Sequence, residues 1–380
     1  MQKEGNIMSN STVKAPFRAD HVGSLLRPEV LKKAREDYEA GNITAEKLRE
    51  IENQEIKRIV EKQIEVGMKS ITDGEFRRSW WHLDFMWGLD GVEKAIMEKG
   101  LAFKGIETRA ETARLTGKIG FSSHPFLADY KFLKSIVPEG YIARQTIPSA
   151  VQFIHEITKP YNIENTKKYY PNRQDLYDDV VETYKKVFKA FYDLGCRNIQ
   201  IDEVVWATLS DKEYRENAKK NNIDLDALTK EYVEVNNRIL NDLPEDLVVT
   251  THVCRGNYRS RWSFSGGYDP VAEELFGKEN VDAYFLEFDS DRAGGFEPLQ
   301  HVSGDKKVVL GLVTSKTGEL ENEDEIIERI HEAAKYVPLE RLCLSPQCGF
   351  SSTEEGNELT EEKQWNKLAF ISRIAEKVWG

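Results

Sequence analysis

Val248-Val249-Thr250-Thr251-His252-Val253-Cys254 is a β-branched run that delivers an imidazole and a thiol two residues apart at its end. Alternate residues of a strand point to the same face, so His252 and Cys254 reach towards one point. Two further strand-like runs end in ligand chemistry: Tyr284-Phe285-Leu286-Glu287 and Leu342-Cys343-Leu344-Ser345-Pro346-Gln347-Cys348. Together His252, Cys254, Glu287 and Cys348 offer one imidazole, two thiolates and one carboxylate, a set that suits tetrahedral Zn2+. Structural zinc sites cluster their ligands in short knuckles. These ligands come from three separate strand ends, which favours a zinc that acts on a thiol substrate.

Working outward from that strand, the chain alternates strand and helix. Phe17 to Ser24 reads as a first strand entering a glycine turn, and Arg27-Pro28 opens a helix. From Thr44 to Val66 apolar residues recur near the helical period, with Thr44 as the cap and Gly67 as the close. Ser70 to Glu75 is the next strand. Trp80 to Phe121 breaks the alternation and is expected to be an excursion or hairpin beside the main fold. Strands follow at Tyr141 to Ile147, Asn198 to Val205, Val248 to Cys254, Tyr284 to Glu287, Lys307 to Thr314 and Leu342 to Cys348, separated mainly by helical segments. Eight strand and helix units predict an α/β fold, a closed (β/α)8 TIM barrel with an insertion after its second strand. No GxGxxG follows any strand, which argues against an open dinucleotide-binding sheet. Residues 1–16 are expected to form a flexible segment and residues 17–380 a single barrel domain.

The chain of 380 residues is 40% hydrophobic and 31% charged, enough to bury a large core. Its net charge of -12 argues against nucleic acid or an anionic membrane as the main partner. No apolar run approaches the roughly 20 residues of a membrane span, and Met1 to Ser11 lacks the apolar segment of a signal peptide. A cytoplasmic location is expected, with assembly into a homo-oligomer left open. The four cysteines, Cys196, Cys254, Cys343 and Cys348, make a disulfide framework improbable, and Cys196 and Cys343 read as small buried thiols.

In a barrel the strand ends share one mouth, so His21, Asp73, Glu75, Asp202, Glu203, His252, Cys254, Glu287 and Cys348 converge from distant parts of the chain. Zinc there would hold an incoming thiol as thiolate, where a free thiol with pKa about 8.5 is mostly protonated. The carboxylate is the ligand most easily exchanged for a substrate sulfur. A lone strand-end glutamate equally holds a helix or an arginine, so Glu287 is weaker than its partners as a ligand by this route.

His21-Val22-Gly23-Ser24, Asp73-Gly74-Glu75, Ile201-Asp202-Glu203, His252-Val253-Cys254, Glu287 and Cys348 resemble, in order, the signature positions of the catalytic barrel of cobalamin-independent methionine synthases. The resemblance spans Phe17 to Gly380 and implies that His252, Cys254, Glu287 and Cys348 bind zinc. It also implies that Ser24, Glu75 and Asp202 hold the amino acid part of homocysteine. Carboxylates near a zinc-bound thiolate fix an ammonium, and a serine donates to a carboxylate, so the chemistry agrees. The implied reaction passes a methyl group from a folate-type donor to homocysteine, as in methionine biosynthesis.

Two departures stand out. The long synthases carry a second barrel that contributes to folate binding, and this chain has room for one. After the seventh strand, where the family has a histidine that assists proton transfer, this chain reads Leu312-Val313-Thr314-Ser315-Lys316-Thr317. Lys316 is the candidate acid there. Arg255 and Arg77-Arg78 are candidates to hold a substrate carboxylate or sulfonate. Trp80-Trp81-His82, with Phe85 and Trp87, either wall a flat substrate or plug the barrel mouth. The alternatives are alkyl transfer to another thiol such as coenzyme M, and a barrel that binds a thiol or amino acid without turnover.

Overall fold

The computed structural model describes residues 14–103 and 105–380. Residues 1–13 of the expected flexible segment lie outside the described residues, while Ala15 and Pro16 are buried. The strands in chain order are β1 Ser70–Ile71, β2 Asp90–Ile96, β3 Ala102–Phe103, β4 Ile106–Glu107, β5 Glu111–Gly120, β6 Ile142–Ala143, β7 Gln145–Pro148, β8 Asn198–Glu203, β9 Val248–Val253, β10 Ala283–Glu287, β11 Lys307–Val313 and β12 Leu342–Pro346. Strands β7 to β12 pair in parallel in chain order. Helices fill the connections, as parallel pairing demands. On the far side of Arg144, β6 continues β7 and pairs in parallel with β1.

The remaining position differs from expectation. Phe17 to Ser24 is not a regular strand; it touches β12 through one parallel bridge, Ala19 with Leu344. Asp20 N–H donates to Leu344 O at 3.0 Å, and Leu344 N–H donates to Arg18 O at 2.8 Å. Towards β1, side chains take over from the ladder: His21 Nε2 meets Ser70 O at 2.9 Å and Thr72 Oγ1 donates to Gly23 O at 2.6 Å. Gly23 sits at φ +133°, which breaks a regular ladder there. With this segment the ring has eight strand positions, and the fold is a (β/α)8 barrel.

Period-two alternation sorts the strand residues. Val22, Phe285, Val309 and Cys343 form a small cluster of their own, whereas Ile199, Val249, Tyr284, Leu310 and Leu344 join the large core with the helices. Cys343 therefore packs with the small cluster and Cys196 with the large one. Below the mouth, Arg144 and Asp20 form an ion pair at 2.9 Å with both side chains 0% exposed. The same guanidinium donates to His21 O, Ser70 Oγ and Asn198 Oδ1, tying four strand positions together.

The excursion is an antiparallel pair, β2 with β5, tipped by the small hairpin β3–β4. It follows β1, the second barrel position, as expected. No helix among the described residues is long and apolar enough to cross a membrane.

Asp20→Ala would leave the Arg144 guanidinium buried without its charge partner. Urea unfolding is expected to show a loss of about 3–5 kcal/mol; a loss below 1 kcal/mol would mean that this pair does not hold the barrel.

Candidate metal centre and substrate cavity

His252 lies near the end of β9, Cys254 directly follows that strand, Glu287 ends β10, and Cys348 follows β12 by two residues. All four are buried, and their ligand atoms lie within 4.8 Å of one another. Register explains the meeting: Phe285 pairs with His252 and Leu286 with Val253, so Glu287 comes level with Cys254. Gly311 allows the rest. A Cβ there would sit 2.6 Å from Leu286 O and from Gln347 Cα, so only glycine lets β10 and the Cys348 loop close over β11.

The chemistry of the four groups fits a zinc ion. The sulfurs of Cys254 and Cys348 are 3.5 Å apart, close to the separation of about 3.8 Å set by zinc–sulfur bonds of about 2.3 Å at tetrahedral angles. His252 Nδ1 is 3.2 Å from Phe285 O, which makes it the donor nitrogen and leaves Nε2 as the ligand atom once its proton is displaced. That Nε2 is buried and has no hydrogen-bond partner. Glu287 is oriented from behind: Oε1 accepts the Arg255 N–H at 2.9 Å and Oε2 accepts Arg292 Nη2 at 3.3 Å.

Titration behaviour follows from this crowding. The hydrogen bond from Cys254 holds the Cys348 thiol well below its ordinary range, with further help from His252. Cys254 moves up for the reciprocal reason, reinforced by burial. Burial lowers the His252 pKa, but the neighbouring Cys348 sulfur and then the charges of Asp202 and Glu287 outweigh it and raise the group to about 9. A divalent cation would displace the protons these groups share.

Above the quartet lies a cavity of about 330 Å3 that Ser24, Glu75 and Asp202 line together with His252, Cys254 and Cys348. Glu75 is held at φ +61°, its N–H donating to Asp73 Oδ1 at 2.8 Å. Its Oε1 accepts Thr146 Oγ1 at 2.7 Å, and Oε2 is buried without a partner. Burial raises the Glu75 carboxyl despite Arg78 at 3.2 Å. Asp202 accepts Gln200 Nε2 at 2.9 Å, and burial, with Glu75 adding to it against the opposing charge of His252, lifts its pKa to about 8. Two buried acids short of cations make a seat for an ammonium. Ser24 Oγ accepts the Ser351 N–H at 3.3 Å.

Other candidates lie elsewhere. Lys316 Nζ meets Asp289 Oδ2 at 2.6 Å, and Asp289 also pairs with Arg292 at 3.2 Å, so Lys316 ends a chain of charges behind Glu287 rather than lining the cavity. The Arg255 guanidinium packs over Tyr268 at 4.4 Å, fully buried and outside the cavity lining. Arg77 pairs with Glu52 at 3.2 Å. Glu203 faces away from the mouth towards Thr251, Asn236 and Trp206. Trp80, Trp81 and His82 line the cavity, whereas Phe85 and Trp87 do not. Asp289, Arg292, Thr146 and Gln200 went unread in the sequence. Arg292, five residues beyond Glu287, carried the one usable signal, a cation near a strand-end acid.

The family model for the cobalamin-independent synthase catalytic domain matches residues 142–367. The chain belongs to the cobalamin-independent methionine synthase family. The matched stretch holds Asp202 and the whole metal quartet, with Ser24 and Glu75 preceding it. The uncharacterized protein YxjG of Bacillus subtilis is 50% identical over 368 residues, 96% of each chain. A Listeria monocytogenes structure, assigned as a vitamin-B12-independent methionine synthase, is 42% identical with a TM-score of 0.74 and covers 96% of this chain and 99% of its own. The B12-independent methionine synthase of a Shewanella species, solved with selenomethionine, shares the barrel at a TM-score of 0.72 and 19% identity, covering 96% of this chain and 98% of its own.

Cys348→Ser is expected to drop zinc from one equivalent to well below half after gel filtration, with circular dichroism unchanged; full retention would remove Cys348 from the centre. Asp202 has a second consequence. Its carboxyl ionises near 3.8 when unfolded but near 8 when folded, so its stabilising contribution is present below pH 4 and lost as pH rises to 8. In metal-free protein Asp202→Asn should therefore gain stability on wild type between pH 5 and pH 8 by urea unfolding, and a constant difference would contradict the assignment.

Proposed function

We propose that this protein transfers a methyl group to the thiol of homocysteine, forming methionine, with zinc held by His252, Cys254, Glu287 and Cys348. The observation that carries this is the shared cavity, in which the partnerless Glu75 Oε2 and the raised acid Asp202 line the same space as the two cysteines. Zinc bound there would stabilise an incoming thiol as thiolate near neutral pH. Glu75 and Asp202 orient the α-ammonium, and Ser24 Oγ meets the α-carboxylate. The buried walls exclude water from the reacting sulfur. A carbon–sulfur bond forms as the donor's bond to the methyl carbon breaks, and the donor takes up one proton. A methyltetrahydrofolate-type donor is the one that the family suggests, and the selenomethionine bound by the Shewanella relative is a product analogue of this reaction. The Arg255 backbone N–H holds the ligand Glu287, and Lys316 holds Asp289 behind it.

Coenzyme M is the second acceptor to weigh, because its sulfonate would need free guanidinium groups. Arg78 is committed to Glu75, Trp81 O and Thr146 O, which favours the amino acid.

Zinc-loaded protein, homocysteine and methyltetrahydrofolate in mono- and polyglutamate forms are expected to yield methionine by mass spectrometry. Glu75→Gln and Asp202→Asn should each raise the homocysteine KM about 10- to 100-fold with zinc content unchanged. Turnover of coenzyme M but not homocysteine would replace this reading.

A further inference from the structure

Lys316 lies outside the cavity lining, so whatever it does for the site passes through its partners. Its Nζ donates to Asp289 Oδ2 at 2.6 Å. The other oxygen of Asp289 accepts Arg292 Nη2 at 3.2 Å, and that same nitrogen donates to Glu287 Oε2 at 3.3 Å. One guanidinium nitrogen is thus shared, at nearly equal lengths, between a ligand of the metal quartet and the carboxylate that Lys316 holds. Arg292 is otherwise loosely tied: Nη1 donates to Phe264 O at 3.3 Å, and the guanidinium lies over the Trp262 ring at 4.8 Å. Lys316 is pinned more firmly, its carbonyl accepting Ser260 Oγ at 2.7 Å.

Burial makes the charge count of this chain matter. The side chains of Glu287, Asp289, Arg292 and Lys316 are 1%, 5%, 8% and 11% exposed, so water does not replace a lost partner. Two carboxylates face two cations. With no cation at 316, Asp289 would draw Arg292 away from Glu287, because both anions would compete unscreened for one guanidinium. With no charge at 289, both cations would act on Glu287 instead. Lys367 does not stand in for either, since both oxygens of Glu321 hold it at 3.1 Å.

We propose that Lys316 is a positioning residue for Glu287 and acts through Asp289 and Arg292. By holding Asp289 it leaves Arg292 free to receive the Glu287 carboxylate when a substrate thiolate enters the centre. The relay rests on the methyl-transfer reading with zinc in the quartet, and it divides the work of the site. Glu75 and Asp202 place the amino acid, whereas Lys316, Asp289 and Arg292 set how firmly Glu287 is kept at the centre.

Full-length cobalt(II)-substituted protein, titrated with homocysteine and with 2-mercaptoethanol, reports thiol binding through its sulfur-to-cobalt absorption bands. Zinc retention is measured separately by chelator competition, and folding by circular dichroism. Lys316→Met is expected to weaken binding of both thiols about tenfold while zinc is held at least as tightly as in wild type, and Lys316→Arg to bring thiol binding back to within about threefold. Asp289→Asn should act in the opposite sense, strengthening thiol binding and loosening zinc. Damaged packing alone would weaken both properties in both variants. In a Glu287→Gln background with excess cobalt, Lys316→Met should change thiol binding less than about twofold, because the residue through which it acts is gone. A full effect in that background, no effect of Lys316→Met on its own, or a shift in the same direction in Lys316→Met and Asp289→Asn would overturn the relay. Wild type that binds 2-mercaptoethanol but not homocysteine would sink the methionine reading and leave the relay to be read from the simple thiol; binding of neither would overturn both.

Discussion

Two thiols, an imidazole and a carboxylate meet within 4.8 Å in the buried mouth of the barrel, and the surrounding structure is arranged to hold them there. Anionic groups so close and so dry repel one another unless protons or a cation lie between them. Parallel register sets Glu287 level with Cys254, and Gly311 lets the loop bearing Cys348 close over β11. The carbonyl of Phe285 turns the imidazole so that Nε2 faces the other ligands. Each device acts on the backbone, which is stiffer than any side chain.

Charge is distributed unequally around that centre. Behind Glu287, cations and anions alternate through Arg292, Asp289 and Lys316, so the carboxylate is oriented without being neutralised by one tight pair. In front, Glu75 and Asp202 face the cavity with too few cations, and both are raised by burial. Lys159, which also lines the cavity, is paired with Glu156.

The insertion after β1 lines part of this cavity. Its hairpin supplies Phe103 to the cavity, and Arg109 fastens it to the acids that follow Cys348. A barrel presents its strand ends openly at the mouth, so a segment added there is well placed to enclose the site.

Strand and helix alternation was legible along most of the chain because barrel strands are covered on both faces and read as apolar runs, as in Val248-Val249 and Leu342-Cys343-Leu344. Ligand types at the strand ends were equally readable, since His252 and Cys254 share a strand face by period alone. The first position differs from the regular strand its composition predicts: the partners of Phe17 to Ser24 towards β1 are side chains, and Gly23 interrupts the ladder. The direction of Glu203, the attachment of Lys316 to Asp289, and the packing of Arg255 on Tyr268 were also invisible, because each depends on a neighbour far away in sequence. Local pattern carried the repeating architecture and the inventory of reactive groups in this chain. Closure of the ring decided which of those groups share a cavity, since burial, charge partners and distances exist only once remote segments are packed together.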